Sequence, residues 1–151
     1  MNDAGASTDL TADDEYVRLD VPATTEQLRL VRLVVVGLAT SHGADVDDLE
    51  DLRIATGEIC AHLVAHAPHD ARLVVVASIA GGEPSLVRLR ASIEGVDAPG
   101  AIDVLDELSE MVLATTTRSF GVVASEDSAV AWFDRAVHVP SEPLGGLRPD
   151  A

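Results

Sequence analysis

Asp51-Leu52-Arg53-Ile54-Ala55-Thr56-Gly57-Glu58-Ile59-Cys60-Ala61-His62-Leu63 is the stretch on which the reading of this chain turns. Leu52, Ala55, Ile59 and Leu63 recur at helical spacing and form one apolar stripe. Upstream, Asp45 or Asp47 is placed to cap this helix, and the acidic run Asp47, Asp48, Glu50, Asp51 suits the positive end of its dipole. Downstream the pattern runs to about His66, and Pro68 closes it. Glu58, His62 and His66 fall at i, i+4 and i+8, so a second, polar stripe shares the helix with the apolar one.

Working outward, Glu15 to Val21 alternates apolar and polar residues as a half-buried strand does, and Pro22 ends it. Thr24 or Thr25 then caps a helix running to about His42, stopped by Gly43. The apolar residues of that helix, among them Leu28, Val31, Leu33 and Val36, cover more than one stripe, which suits burial on two sides. Beyond Pro68, Ala71 to Ile79 and Leu86 to Ile93 read as strands joined by a Gly81-Gly82 turn. A third helix is expected from about Ile102 to Thr117, followed by strands over Ser119 to Ala124 and Val130 to Val137. Trp132 and Phe133 are adjacent in the last strand and so point to opposite faces.

The order strand, helix, helix, strand, strand, helix, strand, strand makes an α+β fold. Its hairpins build a mostly antiparallel mixed sheet, and the three helices must cover one face of it, giving a two-layer α/β sandwich. Residues 15–139 are read as the domain, 1–14 as a disordered acidic tail and 140–151, rich in Pro and Gly, as a flexible C-terminal tail.

Composition excludes several classes of function. The 151 residues carry 26 acidic and 10 basic side chains, a formal net charge of -16, and every basic residue is Arg. Such a surface repels nucleic-acid phosphates and anionic lipids and favours a partner with a basic face. The single cysteine, Cys60, excludes an intramolecular disulfide and a Cys-rich zinc site, and its apolar helical surroundings suit a small buried thiol. No apolar run is long enough to span a membrane, and Met1 to Asp14 lacks the basic and apolar regions of a signal peptide, so the expected location is cytoplasmic. There is no G-x-S-x-G, and H-E-x-x-H is absent.

The helix quoted above resembles the D-L-R-[LI]-A-x-x-E-x-x-x-N helix of the histidine-kinase-type (GHKL) ATPase superfamily, in the form found in small anti-sigma factors. The likeness extends to the first helix and to Asp106-Glu107-Leu108-Ser109, and covers roughly Glu15 to Val139. It implies the histidine-kinase-like ATPase fold, ATP and Mg2+ as cofactors, and a homodimer that binds a sigma factor and is released by an anti-sigma-factor antagonist protein. By the same resemblance Glu58 takes the catalytic position, where the family's Glu orients the attacking group. His62 stands where the family has the Asn that binds magnesium, and an imidazole is a poor ligand for that hard ion. The family's adenine-reading D-x-G-x-G loop corresponds to Ser92 to Gly100, where Glu94, Gly95 and Asp97 are the candidate cofactor-binding residues with His62. The Gly-rich lid has no counterpart. The resemblance therefore implies an anti-sigma regulatory factor whose ATP binding is weak or lost. Two alternatives are an active serine/threonine kinase that phosphorylates the antagonist, and a metal-binding protein using the Glu58/His62 face with His66.

Overall fold

The computed structural model describes residues 15–96 and 102–139. The proposed tails, 1–14 and 140–151, and Asp97 of the candidate site lie outside the described residues. Five strands, β1 (Glu15–Pro22), β2 (Arg72–Ala80), β3 (Ser85–Glu94), β4 (Ser119–Ala124) and β5 (Ser128–Val137), form one sheet in the order β1-β2-β3-β5-β4. Every neighbouring pair is antiparallel. Among the described residues three helices, α1 (Leu28–Ser41), α2 (Val46–Ala65) and α3 (Glu107–Thr116), follow the element order expected from the sequence.

The period-two pattern of the strands decides which face the helices take. Leu73, Val75 and Ala77 on β2, Val87, Leu89 and Ala91 on β3, and Ala129, Ala131 and Phe133 on β5 are buried in one cluster with α1 and α2. Their sequence neighbours face away from it. The result is the two-layer sandwich, with the helices on one side and the other side of the sheet uncovered. Phe133 is fully buried, whereas Trp132 lies on the uncovered face against Gly121 of the edge strand β4. A Cβ at Gly121 would sit 2.9 Å from three atoms of the indole, so only glycine lets the ring lie on the strand.

Two helix starts differ from the sequence expectation. Leu28–Ser41 is preceded by a 3-10 turn, Thr25–Gln27, and Thr24 makes no side-chain cap bond there. The third helix begins at Glu107 rather than near Ile102, because Asp106 caps it by accepting a hydrogen bond from the Ser109 amide at 2.7 Å. Ile102 belongs to the chain entering the helix and is fully buried.

At the start of α2, Asp45 is the cap, accepting from the Asp48 amide at 2.9 Å. Asp48 itself is buried, and fastens the helix to the end of β5. It accepts from the His138 amide at 2.7 Å and pairs with Arg135, which also reaches Asp51 at 3.0 Å and donates to the Thr116 carbonyl at 3.1 Å. Burial works against the Asp48 charge, but the His138 amide and the Arg135 guanidinium outweigh it and hold the carboxyl below its ordinary range.

Candidate functional site

The C-terminal half of α2 presents Glu58, His62 and His66 in sequence along one face, all half-buried. Across from them runs the segment from Ile102 to Ser109. The Ser109 hydroxyl donates to Glu58 Oε2 at 2.6 Å, and His62 Nε2 meets the Ile102 carbonyl at 2.7 Å. That carbonyl can only accept, so His62 Nε2 carries a proton and donates to it. His66 Nδ1 meets the main-chain carbonyl of His62 at 3.0 Å, and the two imidazoles lie 4.9 Å apart, centroid to centroid.

The facing segment is itself held in place. Asp103 Oδ1 accepts from the Ala124 amide at 2.8 Å, tying it to the end of β4. The Asp106 carboxyl lies below its ordinary value, first because the Ser109 backbone N–H donates to it, with His62 adding a smaller attraction. Glu107 and Glu110 also stand in the first turn of α3, so carboxylates line the end of that helix nearest Glu58. Val104 and Leu108 of the same segment, and Met111 on α3, are exposed.

The structure thus brings Glu58 and His62 together, and adds His66, Ser109 and the Ile102 carbonyl. It does not bring Glu94 to them. Glu94 ends β3 on the uncovered face of the sheet, in register with Ser128 and beside a shallow cleft shared with Pro68, Asp70 and Arg72. Gly95 follows with φ +79, a conformation that favours glycine, and its amide donates to the Asp127 carbonyl at 2.6 Å. Cys60 is fully buried. Burial pushes its thiol up to about 12, against a small opposing pull from Arg32, so it is inert at neutral pH.

Local pattern does not mark Ser109 as the partner of Glu58, although Asp106-Glu107-Leu108-Ser109 belongs to the family likeness. The usable signal is an Asp three residues before Ser at a helix start, which identifies a cap and thereby the turn that faces α2. Asp45, Asp48 and His138 also bring three ligand-type atoms within 4.8 Å of one another. Asp48 is already saturated there by Arg135 and His138, which makes the group a staple between α2 and β5.

Comparison with known proteins agrees with this architecture. The family model described as histidine kinase-like ATPase domain matches residues 21–142. The chain is similar to the serine-protein kinase RsbW of Halalkalibacterium halodurans, at 29% identity over 128 residues, which cover 77% of this chain and 79% of that protein. It is also similar to serine-protein kinase RsbW of Bacillus velezensis, at 41% identity over 56 residues, 37% of this chain and 35% of the relative. The Bacillus subtilis protein of the same name is 40% identical over 53 residues, 35% of this chain and 33% of its own length. These two stronger local matches span only about a third of the relatives concerned. Fold, helix motif and family match converge: the chain belongs to the histidine kinase-like ATPase domain family.

Proposed function

We propose that this protein is an anti-sigma regulatory factor that sequesters a sigma factor, and that it binds MgATP weakly or not at all. The observation that carries the second half is a pair of hydrogen bonds, one donated by the Ser109 hydroxyl to Glu58 and one by His62 to the Ile102 carbonyl. The two side chains that the family resemblance assigns to nucleotide chemistry are occupied by the chain's own α3 segment. The donor set also fits a magnesium nucleotide poorly. An imidazole stands in place of an oxygen ligand, and Asp106, Glu107 and Glu110 would set carboxylates against phosphates.

Sequestration needs no catalysis. A chain with a formal charge of -16 competes electrostatically for the basic surfaces with which a sigma factor meets DNA or polymerase, and steers their encounter. Exposed Leu30 and Leu33 on α1 supply apolar area for a partner or for a second copy in a homodimer. An antagonist protein that covers the same surface would release the sigma factor. Among the described residues no helix is long and apolar enough to cross a membrane, which suits a cytoplasmic regulator.

The kinase reading keeps one specific support: Glu58 stands where the resemblance places the Glu that orients the attacking group, and the chain is similar to proteins named serine-protein kinase. A metal on the Glu58/His62 face would have to displace the Ile102 carbonyl from His62. The deciding experiment is affinity capture of the tagged protein from its native cells with mass-spectrometric identification, followed by calorimetric titration with MgATP. Recovery of a sigma factor, with no nucleotide binding, supports the proposal. Absence of any sigma factor overturns sequestration, and tight MgATP binding by the unaltered protein overturns the loss of the nucleotide site and restores the kinase.

A further inference from the structure

The uncovered face of the sheet carries a feature that the nucleotide side does not explain. Arg18 on β1 stands in register with Val76 on β2, Val76 with Arg90 on β3, and Arg90 with Trp132 on β5. One row across four strands therefore reads Arg, Val, Arg, Trp. Strand spacing puts the two arginine backbones about 10 Å apart. Both guanidinium stems line one cleft of about 290 Å3 with Val74, Val76 and Ser92.

The other arginines of this face are neutralised: Arg72 by Asp20 at 2.8 Å, and Arg88 by Asp134 at 3.8 Å. Among the described residues Arg18 and Arg90 take part in no such pair, although the chain carries 26 carboxylates. Two like charges flanking an apolar strip, left unpaired in so acidic a molecule, form a local positive spot in a negative field. Half-buried Val74, Val76 and Trp132 beside them add apolar contact area of the kind that anchors an interface.

We propose that this face docks a segment of a partner protein in which carboxylates are interleaved with apolar side chains. The carboxylates meet Arg18 and Arg90, and the apolar groups cover Val76 and Trp132. Charge complementarity selects this occupant. A second copy seated symmetrically on Val76 would set Arg18 and Arg90 against the same pair. A long polyanion such as RNA would bring many more charges into the net field of -16 than a short acidic segment does. The surface is independent of the nucleotide side of α2, on the opposite face of the sheet.

Trp132 is the chain's single tryptophan, so its fluorescence reports on this face alone. The test titrates the full chain with a synthetic peptide alternating glutamate and leucine, and with the same peptide carrying glutamine for glutamate. The expected result is a saturable change in Trp132 emission with the glutamate peptide and none with the glutamine peptide. Arg90→Glu weakens that binding about tenfold or more, while Arg29→Glu, the same charge change on the helix layer, shifts it by less than about twofold. Circular dichroism confirms that the variants fold. If Arg90→Glu does not, the unaltered protein decides: an affinity for the glutamate peptide that is insensitive to added salt overturns the proposal. Equal response to both peptides, tighter binding of polyuridine, or self-association through the face in sedimentation each overturn it as well.

Discussion

Two carboxylates on one helix, Asp48 and Glu58, mark two different regions of this molecule. Asp48 is buried at the start of α2 and holds a guanidinium, a backbone amide and the His138 ring at once. Glu58 is half-buried in the second half of the same helix and has one partner among the described residues, the neutral hydroxyl of Ser109. The first carboxylate is saturated by fixed donors from β5 and its end, so it serves the fold. The second is held by a single contact with the start of α3, so exchanging that contact for a ligand leaves the core untouched. The lesson is that polarity on a helix face does not define a site; the number and permanence of its partners does.

Asp48→Ala should have the largest effect, because it leaves the half-buried Arg135 with Asp51 as its one remaining carboxylate and takes the acceptor from the His138 amide. Chemical unfolding should show a loss of about 3 kcal/mol or more. The loss should depend on pH in a definite direction. The folded-state pKa of Asp48 lies below its ordinary value of 3.8, so its contribution is complete above that value and fades as pH falls through the lower, folded one. The gap between wild type and Asp48→Ala should accordingly be widest at neutral pH and narrow on acidification below 3.8. A gap of constant size would mean that packing rather than charge makes Asp48 matter.

Ser109→Ala tests the other region and should cost less, about 1 kcal/mol, because one hydrogen bond is lost and Glu58 can turn to water. Glu58→Gln should cost less still, within about 1 kcal/mol, since the amide oxygen can accept the same hydroxyl. If either variant destabilises as much as Asp48→Ala, the two regions are alike and Glu58 belongs to the fold. At the small end, thiol reagents should leave Cys60 unmodified in the folded protein at neutral pH, and label it only on unfolding. Rapid labelling of the native state, read by mass spectrometry, would show that the face of α2 next to Glu58 opens more than the packing implies.

Much of the fold was legible because helices and strands announce themselves through local period. The stripe Leu52, Ala55, Ile59, Leu63 lies within a few turns of chain, and the hairpin from Arg72 to Glu94 lies within one supersecondary unit. Adjacent Trp132 and Phe133 had to face opposite ways in a strand. The start of α3 was less legible, since Ile102 and Leu105 continue an apolar pattern while the capping Asp106 interrupts the helix. The candidate site was legible only in part: Glu58 and His62 share a helix, whereas Glu94 alternates onto the uncovered face.

The sequence alone determined the element order, the antiparallel layout and the polar and apolar stripes of α2, because each depends on residues close along the chain. Which side chains those stripes meet depends on how distant segments pack. Ser109 lies 51 residues from Glu58, and Arg135 lies 87 from Asp48. The tertiary structure also decided that Phe133 rather than Trp132 entered the core, and that Arg18 and Arg90 came to flank one cleft. Hydrogen bonds and ion pairs act over a few ångströms, so partner choice waits on the packing of distant segments, which no local period encodes.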